Sequence, residues 1–222
     1  RASGDDIANE LDLLLALLTP IAKAWSSEYG IDANRLAIQV LGGCGYTYDY
    51  PVERLYRDNR LNAIVEGTTG IQAMDLLGRK VTMANGAALG LLLQRIEATI
   101  TKAATDPSLA DYAQALGATC KKVGATTMSL MAVAQTGDLE KFLANATTFL
   151  HLFGHTVVAW LWLEQGLEIN RQLAEQPTDS FLLGKRQALQ YFYRWELPKV
   201  DQWIQLLTPI DTTCLDMDPS WF

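Results

Sequence analysis

Apolar residues recur along this chain at intervals of three and four, and almost nowhere in strict alternation. That period lines one face of an α-helix, so an all-α fold is predicted: a helical bundle followed by a second helical bundle. A first helix is expected over residues 5–18, with Leu11, Leu14, Leu15 and Leu18 on one face. Thr19-Pro20 reads as an N-cap followed by a proline at the first helical position, where the missing N–H costs nothing. The helix it opens carries Ile21, Trp25, Tyr29, Leu36 and Val40 as far as Gly42-Gly43, a glycine stop. Gly30 is expected to weaken the middle of this helix.

Further signals divide the rest. Residues 42–50 form a glycine- and tyrosine-rich loop, and Pro51 restarts a helix to about residue 61. Residues 62–68 are a non-periodic link. Thr69 followed by Gln72 reads as a capping box. The helix beyond it, with Ile71, Met74, Leu77 and Val81 on one face, is expected to run on to about residue 104. Asp106-Pro107 marks a turn, with Asp106 or Ser108 as the cap of a helix to about residue 135. Gly137-Asp138 breaks the chain again. One long helix is then expected over residues 139–174, with Phe149, Phe153, Trp160 and Trp162 as core aromatics. Pro177 ends it, Asp179 caps a last helix to about residue 207, and Pro198 interrupts that helix. Residues 208–222 read as loop. Two domains are expected, 1–82 and 83–222.

Composition narrows the function. The 222 residues are 49% hydrophobic and 19% charged, enough to bury a core without disulfide staples. Eighteen basic against 25 acidic residues leave a net charge of −7, which argues against nucleic acid or an anionic membrane as partner. Cys44, Cys120 and Cys214 have no metal spacing and read as reduced thiols of a cytoplasmic protein. Cys44 is expected to be small filler in the glycine loop. No uninterrupted apolar run approaches the roughly 20 residues of a membrane span.

Candidate chemistry concentrates between residues 35 and 80. Gly67-Thr68-Thr69-Gly70 opens into a capped helix, where backbone N–H groups and the helix dipole favour an anion. The same pattern is also ordinary capping. Glu66 follows the apolar pair Ile64-Val65, as a general base in a loop would, but spacing alone equally suits a surface glutamate near a helix dipole. Arg54, Arg57 and Arg60 read as ion-pairing partners of Glu53, Asp58 or Asp49 rather than phosphate ligands. His151 and His155, one turn apart, read as a buried or interface pair rather than a metal site. Ser27, Ser129 and Ser180 lack any hydrolase context.

The string QVLGGCGYTYDYPVERLYRDNRLNAIVEGTTGIQAMDLLGRK, residues 39–80, closely resembles the C-terminal helical domain of acyl-CoA dehydrogenases. The matching pieces are residues 39–46, Arg57-Asp58-Asn59-Arg60 and Glu66-Gly67-Thr68, in the same order and spacing. The remainder, including Phe153-Gly154-His155 and residues 160–163, resembles the extra C-terminal helical domain of a larger bacterial subgroup.

That resemblance implies an oxidoreductase that converts acyl-CoA to trans-2-enoyl-CoA with FAD, as in fatty acid β-oxidation. It implies Glu66 as the base that removes the α-proton, with its own backbone N–H helping to hold the thioester carbonyl. An apolar acyl pocket, to which Ile64 and Val65 could contribute walls, is expected around it. Gly67 is implied as a substrate neighbour, and Thr68, Thr69 and Gly70 as FAD-binding residues. Gln39 and Gly43 are implied to touch the FAD of a neighbouring subunit, hence a homodimer or homotetramer. Electron-transfer flavoprotein is the implied acceptor. Val65 departs from the family's usual tyrosine and Gly70 from its usual glutamine.

The family's N-terminal helical and middle β-domains are absent, and the chain starts at Arg1. A C-terminal fragment is therefore expected, inactive and without FAD when isolated. Two other readings stay open: a non-catalytic helical dimerisation or docking module, and an acyl-CoA oxidase parent that shares every motif above.

Overall fold

The computed structural model describes residues 4–221, which contain helices and no strand. The chain divides into two compact units, Arg1–Ala88 and Leu89–Phe222. The sequence placed that division at 82/83.

In the first unit α1 (Gly4–Leu41) is one continuous helix, and Thr19-Pro20 does not interrupt it. The Thr19 hydroxyl donates back to the Leu15 carbonyl at 2.6 Å instead of capping a new helix. Pro20 forfeits the bond to the Ala16 carbonyl, a cost of roughly 3 kcal/mol. Burial of Leu14, Leu17 and Ile21 on either side offsets it, at roughly 1.5–3 kcal/mol each. The buried stripe is Leu14, Leu17, Ile21, Ala24 and Ser27, whereas Leu11, Leu15, Leu36 and Val40 are exposed within this chain. A leucine run supplies an apolar residue to more than one face, so its sequence does not say which face packs.

Gly42 (φ +60) ends α1, and a 3-10 turn, Gly42–Tyr46, follows. Gly45 is buried there: a Cβ would stand 2.6 Å from the Ile38 carbonyl oxygen. Cys44 is exposed and fills no space. Helix α2 (Val52–Arg60) has no buried residue of its own. It lies against α1 through Asn59, whose Nδ2 donates to Asn34 Oδ1 at 2.9 Å. Gly30 makes that approach possible, since a Cβ there would lie 2.7 Å from Asn59 Nδ2. Its role is close packing rather than weakness in α1.

Helix α3 (Thr69–Asp75) is short and passes into a π-turn, Leu76–Lys80. Ala73, Leu76, Leu77 and Val81 are buried, but the expected face members Ile71 and Met74 are exposed. The expected run to residue 104 is broken: Ala84 (φ 50), Asn85 (φ 54) and Gly86 (φ 83) are all left-handed. Three such residues cannot belong to a right-handed helix.

The second unit contains most of α4 (Ala87–Ala104), then α5 (Ala110–Ala134), α6 (Leu139–Leu143), α7 (Ala146–Glu175), α8 (Ser180–Tyr191) and α9 (Lys199–Leu207). The expected single helix 139–174 is two. Asp138 caps α6, accepting from the Lys141 N–H at 3.0 Å. Asn145 then starts α7 and donates its side chain to the Asp211 carbonyl at 2.6 Å. Asp179 caps α8 as expected, accepting from the Leu182 N–H at 2.8 Å. A π-turn, Phe192–Glu196, joins α8 to the Pro198 break.

Helix α7 is the centre of this unit and packs against α5, α8 and α9. Phe149, Phe153 and Trp160 are buried; Trp162 is only half-buried, with the Lys185 ammonium 5.4 Å from its ring centre. The Trp160 indole donates to Thr99 Oγ1 at 2.9 Å, and the Tyr193 hydroxyl to the Ala159 carbonyl at 2.9 Å, so the buried polar tips are paired. By length and composition α7 alone among the described helices is apolar enough to cross a membrane. Two thirds of its most apolar window, 67%, is buried within the protein, as in a core helix.

Candidate functional site

The loop from Val65 to Thr68 joins α2's 3-10 extension, Leu61–Ala63, to α3. Glu66 sits in the left-handed region at φ 58 and Gly67 at φ 87. A non-glycine residue there carries steric strain, so the surroundings must hold it. They do so at two successive carbonyls. Gln72 Nε2 donates to the Glu66 carbonyl at 2.9 Å, and Lys23 Nζ donates to the Gly67 carbonyl at 2.5 Å. Gly67 also needs to be glycine for space: a Cβ would stand 3.0 Å from Gln72 Nε2 and 3.2 Å from Ile71 Cγ2.

The cap of α3 lies one residue earlier than expected. Thr68 is the extended N-cap residue (φ −64, ψ 167), and its hydroxyl caps nothing. Thr69 is inside the helix, and its hydroxyl donates to a Glu28 carboxylate oxygen on α1. Gln72 reaches back to the Glu66 carbonyl rather than closing a capping box. The N–H groups of Glu66, Gly67 and Thr68 donate to no acceptor among the described residues. In a helix's first turn the N–H groups of Thr69, Gly70 and Ile71 also lack an intrahelical partner.

Glu66 is exposed, and so are Ile64 and Val65, so this unit by itself does not enclose the carboxylate in apolar walls. A cavity of about 320 Å³ lies beside the loop, lined by Lys23, Ser26, Ser27, Asn62, Val65 and Glu66. Thus Glu66, Gly67, Thr68, Thr69 and Gly70 come together at the start of α3, against the middle of α1. Gln39 and Gly43 do not join them. Gln39 is eleven residues past Glu28, about 16 Å along α1 at 1.5 Å per residue, and Gly43 lies beyond it. Both are exposed, and a Cβ at Gly43 would meet nothing within 4 Å.

Lys23 and Glu28 are the site residues that sequence reasoning missed. Their signal was available: two opposite charges beside the buried positions Ala24 and Ser27 of an apolar helix stripe. Such placement needs a polar partner, and the partner is the loop.

Other candidates resolve as structure. Arg54 pairs with Asp58 at 3.3 Å and Arg57 with Glu53 at 3.7 Å, both one turn apart on α2. No group of His, Cys, Asp and Glu among the described residues could hold a metal. His155 is 1% exposed, with Nδ1 3.0 Å from the His151 carbonyl and Nε2 3.6 Å from Glu196 Oε2. Burial pushes its pKa down to about 4, against the smaller opposing pull of the His151 carbonyl and Glu196, so the ring is neutral at pH 7. Cys120 is driven up to about 11 by burial, with a contribution from Glu97, and remains a thiol.

Comparison with known proteins bears on both units. Residues 8–81 match the family described as "Acyl-CoA dehydrogenase, C-terminal domain", and residues 92–218 match that described as "Acetyl-CoA dehydrogenase C-terminal like". The chain belongs to the acyl-CoA dehydrogenase family. It is 29% identical over 214 residues to a broad-specificity linear acyl-CoA dehydrogenase of Mycobacterium tuberculosis, covering 93% of this chain and 35% of that one. It is 31% identical over 177 residues to 3-methylmercaptopropionyl-CoA dehydrogenase of Ruegeria pomeroyi, covering 79% and 30%. A butyryl-CoA dehydrogenase of Syntrophomonas wolfei is 26% identical over 215 residues, covering 95% and 35%. The chain spans about a third of the length of these curated relatives.

Proposed function

We propose that this chain is the C-terminal helical part of an FAD-dependent acyl-CoA dehydrogenase that converts acyl-CoA to trans-2-enoyl-CoA, with Glu66 as the base. The observation that supports this reading most is the held loop. A glutamate is kept in a strained conformation by contacts from two helices, and three successive N–H groups, its own and the next two, have no acceptor among the described residues.

The chemistry needs that combination. An acyl-CoA α-proton is a weak acid, and its removal places negative charge on the thioester oxygen. Preorganised N–H donors stabilise that charge, and a carboxylate at fixed geometry takes the proton. Glu66 supplies the carboxylate, and its own N–H supplies a donor. Gly67 leaves room for the substrate to approach the backbone.

The residues fit a flavin cofactor through their backbone. The first-turn N–H groups of α3 suit a diphosphate, and Thr68 and Gly70 leave that turn open. Thr69 fits less well by its side chain: a hydroxyl has one hydrogen, and Glu28 receives it. Thr69 therefore contributes its backbone N–H and ties α3 to α1. Gln39 and Gly43, exposed at the far end of α1, are proposed to meet the cofactor of a second copy, which makes the parent a homodimer or homotetramer. FAD held there would supply the acceptor for the hydride leaving the β-carbon, and electron-transfer flavoprotein would be the acceptor that reoxidises it.

The test is Glu66→Gln in the full-length parent. Acyl-CoA and flavin binding should be kept while turnover falls by about two orders of magnitude or more. Near-normal turnover would place the base elsewhere. The isolated chain should show no flavin absorbance and no activity; a bound flavin would contradict that part.

A further inference from the structure

We propose that Lys23 and Gln72 are positioning residues that set the geometry of Glu66 by clamping two consecutive carbonyls from opposite helices; this rests on Glu66 being the base. Lys23 lies on α1 and holds the Gly67 carbonyl, 44 positions later in the chain. Gln72 lies on α3 and holds the Glu66 carbonyl. No other hydrogen bond within the described residues holds the backbone of Glu66 or Gly67.

The consequence follows from peptide geometry. The peptides here are trans and planar, so each N–H points opposite to the carbonyl of its own peptide unit. Fixing the Glu66 carbonyl on Gln72 therefore turns the Gly67 N–H away from α3's Gln72. Fixing the Gly67 carbonyl on Lys23 turns the Thr68 N–H away from α1's Lys23. The φ of 58 at Glu66 then sets its own N–H, and the start of its side chain, relative to the clamped carbonyl. The clamp thus orients the carboxylate and the neighbouring donors as one rigid group. Without it no hydrogen bond to the Glu66 or Gly67 backbone among the described residues opposes relaxation of Glu66, an exposed residue, to negative φ.

A second observation ties Lys23 to this site. Its side chain lines the same cavity as the Glu66 side chain, and Ser27, one turn on, satisfies its hydroxyl locally on the Lys23 carbonyl at 2.8 Å. Lys23 is thus the cavity's one cation, half-buried beside the base.

The experiment uses the full-length flavin-loaded parent with Lys23→Met, Lys23→Arg, Gln72→Met and Glu66→Gln. Lys23→Met keeps the stem and removes the donor. It should lower kcat about 10- to 100-fold while KM for acyl-CoA moves little, since the lost geometry concerns proton transfer. Lys23→Arg restores a donor of similar reach and should recover most of kcat. Gln72→Met releases the other carbonyl at a half-buried position, and should lower kcat in the same direction without unfolding the unit. A kcat within about twofold of the parent in both Lys23→Met and Gln72→Met would overturn the clamp. So would a loss that raises KM alone, or one that Lys23→Arg does not relieve. If Glu66→Gln itself turns over normally, the base assignment fails, whatever the clamp variants do. If Glu66→Gln is inactive and the clamp variants are normal, the clamp alone fails.

Discussion

Thr69 on α3 donates its hydroxyl hydrogen to the carboxylate of Glu28 on α1, 41 positions earlier. The pair ties the start of the short helix to the middle of the long one, and with Lys23 it makes α1 the platform for the loop that carries Glu66. Breaking it from one side leaves a half-buried charge short of a donor. Thr69→Val should therefore destabilise the chain by about 1–3 kcal/mol, and Thr69→Ser should recover most of that. Urea denaturation of the two variants beside the parent sequence checks it. Equal midpoints for Thr69→Val and the parent would show that the pair contributes nothing.

A second prediction concerns packing in the other unit. Gly166 on α7 faces α8, where a Cβ would lie 2.6 Å from Leu189 Cδ1 and 3.1 Å from Leu109 Cδ2. Leu189 and Leu109 are both buried, and their terminal methyl groups would have to shift to admit it. Gly166→Ala should cost about 1–3 kcal/mol by overpacking, although alanine is the better helix former by about 1 kcal/mol. The companion Gly184→Ala on α8 meets nothing within 4 Å and should be neutral or stabilising. Thermal unfolding of the two variants should give opposite signs, and a rise in both would refute the crowding at Gly166.

The third prediction is a pH dependence. His155 has a folded pKa near 4 against an ordinary 6.5, because burial disfavours the charged ring. Its neighbours are the His151 carbonyl, Glu196, Lys199 and the rings of Phe192 and Trp203. Between pH 6.5 and 4 the unfolded chain binds a proton at this residue and the folded chain does not. Stability from His155 is thus fully present above pH 6.5 and lost as the pH falls towards 4, at no more than about 1.4 kcal/mol per pH unit. His155→Gln should lower stability at pH 7 and flatten that slope. An unchanged slope in the variant would assign the dependence to other groups.

The all-helical class and the turn at Asp106-Pro107, like the break at Gly137-Asp138 and the cap at Asp179, were legible in the sequence because each rests on local chemistry. A 3.6-residue period, a proline without an N–H and a carboxylate three residues before a free N–H act over one turn of chain. The Glu66-Gly67-Thr68 motif was legible too, since its order and spacing are properties of the string. What the string did not determine were the outcomes of competition between local and distant partners. Pro20 stays inside α1 because apolar residues on both sides, Leu14 and Leu17 before it and Ile21 after it, find a core, and the same string without that core would break there. Thr69 is no cap because the N-cap lies one residue earlier, at Thr68, and the Thr69 hydroxyl donates instead to Glu28 on another helix. Lys23 and Gln72 meet the two loop carbonyls only once α1 and α3 are packed together, and it is the tertiary structure that sets the geometry at which Glu66 is held.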